Sequence, residues 1–148
     1  MLSKGWLSSL RLDSQGVSRA LGDLETEIME VMWRHGEDAS IRDVCERLGR
    51  PLSFNTVMTV MNNLTAKGLL IRSGMRRSYR YRTAVDRQQF ASGLVTKVFR
   101  DLLADFGDLA TAGFVEATDV MDEERLSDLM EHLKARLGNT RAGHEDDA

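Results

Sequence analysis

The chain has 148 residues, one Cys, one Pro and a formal net charge of −3. That length fits one domain of ordinary size, or a small domain with an appendage. The lone Cys45 excludes an internal disulfide framework, and no apolar run reaches the roughly eighteen residues a membrane helix needs, so the expected location is the cytoplasm with no membrane partner.

Charge is distributed unevenly. Residues 1–82 hold 13 basic and 9 acidic groups, whereas residues 83–148 hold 7 and 14. Within the first part, residues 50–82 carry seven Lys or Arg and no Asp or Glu. An acid-free basic stretch in an otherwise acidic chain points to a polyanion. Chemistry of other kinds finds little support, because there is no phosphate-binding Gly loop, no HExxH and no Cys/His ligand set. His35, His132 and His144 are isolated, so no catalytic residue, metal or cofactor is expected.

Residues 1–20 show no sustained period and read as a flexible N-terminal arm. From Gly22, Leu24, Ile28, Val31 and Met32 fall on one helical face, with acids in the first turn, Arg34 and His35 in the last and Gly36 behind. Ser40 and Asp43 then stand at capping-box spacing ahead of Ile41, Val44, Cys45 and Leu48, a short second helix on whose apolar side Cys45 reads as a buried structural thiol.

Ser53 is placed to cap a third helix running to about Lys67, with Gly68 as its stop. Its apolar face comprises Val57, Val60, Met61 and Leu64. The opposite face offers Asn55, Thr59, Asn62 and Ala66, flanked by Thr56, Met58 and Asn63. A solvated face would ordinarily carry Glu and Lys. Amides and Thr methyls suit the major groove, where Asn pairs in bidentate fashion with adenine and a methyl meets thymine. Leu69 to Ile71, the turn Ser73-Gly74-Met75 and the alternating Ser78 to Arg82 then read as a β-hairpin with Arg76 and Arg77 at its tip. Alternation puts Tyr79 and Tyr81 on one face and Arg80 and Arg82 on the other, without fixing which face is buried.

This order of parts is that of a winged helix. The fold class is mainly α with a small β-hairpin, a winged helix-turn-helix domain over 21–83. The expected DNA contacts are Ser53, Asn55, Thr56, Thr59, Asn62, Asn63, Lys67, Arg76, Arg77 and Arg80. Residues 84–138 are expected to form helical dimerisation elements, presenting Phe90, Leu94, Val98, Leu102 and Phe106 and then Leu126, Leu129 and Leu133. Between the two stripes, Leu109 to Val115 is a short helix or a turn. An intramolecular bundle packed on the first domain is the alternative use of these stripes. A chain cut after Thr83 is expected to be monomeric, and 139–148 to be a disordered tail.

Together LGDLETEIMEVMW, SIRDVCERL, SFNTVMTVMNNLTAKGLL and the Arg76-Arg77-Ser78-Tyr79-Arg80-Tyr81 wing give a combination that resembles the BlaI/MecI family of penicillinase repressors, which also includes copper-responsive CopY-type members. The resemblance covers about Leu21 to Leu137. It implies a homodimer binding a palindromic operator in double-stranded DNA as a repressor, with Ser53, Thr56 and Thr59 matching recognition-helix positions. Where many members have a basic residue, this chain has Asn63. The resemblance also implies a sensor protease as a partner, but the chain lacks the Asn-Phe bond such proteases cut; Gln89-Phe90 is its nearest chemical match and Gly93-Leu94 the nearer by position. The Cys-x-Cys pattern of the copper members is absent, which excludes thiolate ligation of Cu(I) in the tail. The remaining alternatives are a winged-helix protein adaptor and a non-specific DNA-binding protein.

Overall fold

The computed structural model describes Arg11 and residues 15–145, with side chains as far as Gly143. It divides into two compact units, one ending at Phe99 and one beginning at Arg100. No described helix is long and apolar enough to cross a membrane.

In the first unit a short 3-10 turn, Gly16–Arg19, precedes α1 (Asp23–His35), α2 (Ile41–Leu48), α3 (Phe54–Ala66), the antiparallel pair β1 (Leu70–Ser73) and β2 (Arg80–Thr83), and the start of α4 (Arg87–Phe106). Each boundary has a local cause. Gly36 and Gly49 close α1 and α2 in the left-handed region. Ser40 Oγ accepts the Asp43 N–H while the Asp43 carboxylate accepts the Ser40 N–H, a reciprocal capping box. Ser53 Oγ accepts the Thr56 N–H at 3.1 Å. After α3, the Gly68 N–H donates to Thr65 C=O and the Leu69 N–H to Leu64 C=O, so the chain leaves the helix through a Schellman turn.

The helices converge on one core: Ile28, Met29 and Met32 of α1, Ile41 and Val44 of α2, Val57, Met61 and Leu64 of α3, and Leu69, Leu70 and Tyr81 of the hairpin. Val60 and Cys45, expected inside, are only partly buried and pack against this core from its edge. Tyr81 settles the hairpin's orientation: it is 1 % exposed, so the Tyr face turns inward. Its backbone also pairs with Ala39 in an isolated antiparallel bridge beside the hairpin.

Two expectations about the ends of this unit are corrected. Arg11 donates to Asp23 Oδ1 at 2.9 Å, and Val17 and Ala20 are buried, so the described part of 1–20 is packed rather than a free arm; residues 1–10 and 12–14 lie outside the described residues. At the other end, Phe90 and Leu94 are buried in the first unit's core and Val98 packs against it, which withdraws all three from the dimerisation stripe. The physical reason is Trp33. Its indole ring lies 5.6 Å from the Phe90 ring, and its Nε1–H donates to Val85 C=O at 2.9 Å, drawing the first turns of α4 onto α1. The first compact unit therefore runs on past Thr83 and ends at Phe99.

The second unit contains the last turns of α4, α5 (Asp108–Ala117), a 3-10 turn at Thr118–Val120 and α6 (Glu123–Glu145). The Leu109 to Val115 segment is thus a helix, and the expected tail continues α6 as far as Glu145. Asp122 caps α6 by accepting the Arg125 N–H at 2.9 Å. Among the described residues from Arg100 onward none is buried. Leu102, Leu103, Phe106, Leu109, Met130, Leu133 and Leu137 are all exposed, and Leu126 and Leu129 are half-buried.

The α2 cap carries a pH dependence. The Ser40 backbone and side-chain hydrogen bonds, followed by Arg80 and Arg47, hold the Asp43 carboxyl below its ordinary value of 3.8. A depressed carboxylate contributes stability that is complete above the unfolded value and is lost as pH falls through the lower folded one. Asp43 is 36 % exposed, so solvent screening keeps the contribution small. Thermal unfolding of Asp43→Asn is expected to match that of the parent more closely as pH falls below about 4, with a gap that opens by pH 6.

Candidate nucleic-acid interface

The exposed side of α3 is built from Asn55, Thr56, Thr59, Asn63 and Ala66. Asn55, Thr59 and Asn63 follow one another at four-residue spacing, so they form a single row along the helix. Thr59 Oγ donates to Asn55 C=O at 2.9 Å, which fixes its rotamer with the hydroxyl turned to the backbone. Ser53 and Thr56 share a 2.7 Å hydroxyl contact at the cap, so their part is to start and hold the helix.

Asn62 is placed differently. Tyr81 Oη–H donates to Asn62 Oδ1 at 3.0 Å, and the Asn62 side chain is half-buried. Bidentate pairing with adenine uses both ends of the amide. With its carbonyl oxygen engaged by Tyr81, Asn62 joins α3 to the wing, and an adenine contact there would have to share that oxygen.

The basic stretch also changes when its acidic surroundings are counted. Lys67 Nζ lies 2.6 Å from Glu25 Oε1, Arg50 lies 2.9 Å from Glu27, and Arg80 lies 3.4 Å from Asp43 while donating to Asp38 C=O at 2.7 Å. Carboxylates of α1 and α2 thus partner three of the seven cations that look unopposed in the sequence. Lys67 and Arg80, both expected on DNA, pair with the protein's own acids. The other four, Arg72, Arg76, Arg77 and Arg82, are exposed and all belong to the wing. Arg72 stands over the Tyr79 ring at 4.2 Å, which orients it without cancelling its charge. Sequence reading did not include Arg72 and Arg82; what singles them out is that no carboxylate among the described residues pairs with either, which only the folded chain displays.

The wing's shape depends on Gly74. Its φ is +89°, and a Cβ there would come within 2.8 Å of Ser78 C=O, so the turn that presents Arg76 and Arg77 requires glycine.

The bonds nearest to a protease target are also accounted for. Gln89 forms a second capping box with Asp86, its Oε1 accepting the Asp86 N–H and its N–H reaching Asp86 Oδ1 at 2.7 Å. Phe90 is fully buried behind it, and Leu94 of the Gly93-Leu94 bond is 6 % exposed. Both bonds lie inside α4 and not in extended backbone, so cleavage at either would require local unfolding.

Three helices around one core, a hairpin with unopposed arginines and an uncharged, amide-bearing third helix define a winged-helix DNA-binding regulator. Residues 21–135 match the family model described as penicillinase repressor. The transcriptional regulator BlaI of Mycobacterium tuberculosis is 34 % identical over 127 residues, covering 84 % of this chain and 87 % of that protein. Solved structures similar to the chain include BpsR of Bordetella bronchiseptica, 16 % identical with a TM-score of 0.42 over 80 % of this chain and 76 % of that one. A MarR/EmrR family regulator from Acinetobacter sp. ADP1 is 19 % identical with a TM-score of 0.40, over 81 % and 78 %. The chain belongs to the penicillinase repressor family, and it is a DNA-binding transcriptional repressor, not an enzyme.

Proposed function

We propose that this repressor acts in the cytoplasm as a homodimer on a palindromic operator, placing one α3 in the major groove of each half-site. In this reading Asn55, Thr59 and Asn63 meet base edges, while Ser53 and Thr56 set the helix start. Arg76 and Arg77, with Arg72 and Arg82 behind them, hold phosphates or enter the minor groove. The observation that carries it is the separation of labour on one surface: uncharged side chains along α3, unopposed guanidinium groups on the adjoining wing. Support for the twofold comes from the second unit, whose exposed leucines and Phe106 form the kind of apolar surface that marks an association site. Leu102, Phe106, Leu126, Leu129 and Leu133 are the residues assigned to that contact. A sensor protease is not part of the proposal, given how both nearest bonds are held.

Selection of bound duplexes from a randomised pool tests both halves. Enriched sequences should contain two inverted half-sites about one helical turn apart, roughly 10 base pairs centre to centre, with two chains per duplex. Enrichment of a single unrepeated site, or of no sequence at all, would defeat the operator reading. Asn55→Ala and Asn63→Ala should broaden the selected sequences, whereas Asn62→Ala should lower stability with little broadening.

A further inference from the structure

Apart from the DNA surface, the first unit contains a groove of about 480 Å³ between the Gly16–Arg19 turn and one side of α4. Val17, Ala91 and Leu94 line it together with Val95, Val98 and Phe99, and two cations, Arg19 and Arg87, share the lining; among the described residues no Asp or Glu does. The volume falls within the range of small-molecule sites, and an apolar lining with a few fixed polar groups is their usual chemistry.

Arg87 is the informative residue. Its Nε is held by the Glu30 carboxylate at 3.0 and 3.2 Å, which anchors the side chain on α1. A guanidinium has two edges able to take a carboxylate, and the edge formed by its two terminal nitrogens is not the one Glu30 uses. Arg19 Nη1 donates to Arg11 C=O at 3.4 Å, so it too is tethered at the groove. An uncharged apolar occupant would leave the second edge of the Arg87 guanidinium unused. We propose that this groove binds an amphipathic organic anion, a carboxylate with an aromatic or short aliphatic body of on the order of ten to fifteen non-hydrogen atoms, its carboxylate on Arg87 and its body against Val17, Leu94, Val98 and Phe99.

The groove lies in the DNA-binding unit but shares no residue with α3 or the wing, so binding there is testable without DNA. Calorimetric titration of the full chain with three probes of one shape, 1-naphthoate, 1-naphthalenemethanol and 1-naphthylmethylammonium, separates charge from apolar fit. Saturable binding of one naphthoate per chain is expected, about tenfold or more tighter than the alcohol, with the ammonium weakest. Arg87→Gln should abolish the preference for the anion while leaving the alcohol's affinity unchanged. Glu30→Gln, which removes the carboxylate already on that guanidinium, should tighten naphthoate alone. Val95→Trp, at a half-exposed position on the rim, should obstruct all three without unfolding the chain.

Equal affinity for acid and alcohol, or a naphthoate affinity indifferent to Arg87→Gln, would overturn the assignment. So would the absence of saturable binding.

Discussion

Phe90→Ala is expected to destabilise the DNA-binding unit by about 3–5 kcal/mol, most of what a domain of this size has in reserve. Phe90 is completely buried, tilted against Trp33 and followed one turn later by buried Leu94. Removing the ring leaves a cavity that the surrounding Trp33 and α4 backbone, both pinned by hydrogen bonds, are poorly able to close. Phe106, sixteen residues further along the same helix and 56 % exposed, makes the opposite prediction. Phe106→Ala should leave the urea midpoint of the DNA-binding unit unchanged and weaken self-association in sedimentation. Equal destabilisation by both substitutions would show that α4 does not change its role near Phe99. For the same reason a chain cut after Thr83 is expected to fold poorly, since it discards Phe90 and Leu94, while one cut after Phe99 keeps the core intact.

The second large effect belongs to the wing. Arg76→Ala combined with Arg77→Ala should reduce operator affinity by at least about tenfold at physiological salt, and the plot of log K against log salt should flatten by about three to four for a bound dimer. Four phosphate contacts would then be missing, two per subunit, each worth about 0.9 in slope. Lys67→Ala removes a cation as well, yet it breaks the 2.6 Å pair with Glu25 in a half-buried setting. Its expected signature is a stability loss of about 1 kcal/mol with the salt slope nearly unchanged. A slope that responds to Lys67 and ignores Arg76 and Arg77 would place the phosphate surface on the wrong side of α3.

The contrast shows what could be read from residues alone. Helix starts and stops were legible because their signals are local: Ser40 with Asp43, Ser53 with Thr56, and Gly36, Gly49 and Gly68 each act within a few residues. The buried face of α3 followed from the 3.6-residue period, and the hairpin from its period of two. Charge partners were not legible, because Lys67 meets Glu25 across 42 positions and Arg80 meets Asp43 across 37. Counting cations along the sequence therefore did not show that Lys67 and Arg80 have acidic partners. The stripe on α4 misled in another way. Periodicity shows that an apolar face exists without showing what covers it, and Phe90, Leu94 and Val98 turned out to face their own unit. Asn62 has an amide like Asn55 and Asn63, and only the position of Tyr81 distinguishes it.

The Tyr81 to Asn62 hydrogen bond bears on how proteins built this way can change their target. On the proposed reading, a substitution at Asn55, Thr59 or Asn63 alters what the helix offers to a base and disturbs no side-chain hydrogen bond to another element among the described residues. At Asn62 the same exchange leaves a buried tyrosine hydroxyl unpaired, at the free-energy cost that attends any orphaned polar group. On that reading, new binding preferences are most accessible through the outer row of α3, and position 62 acts as a brake on drift. The hinge between reading helix and wing is held fixed while the letters being read are free to vary.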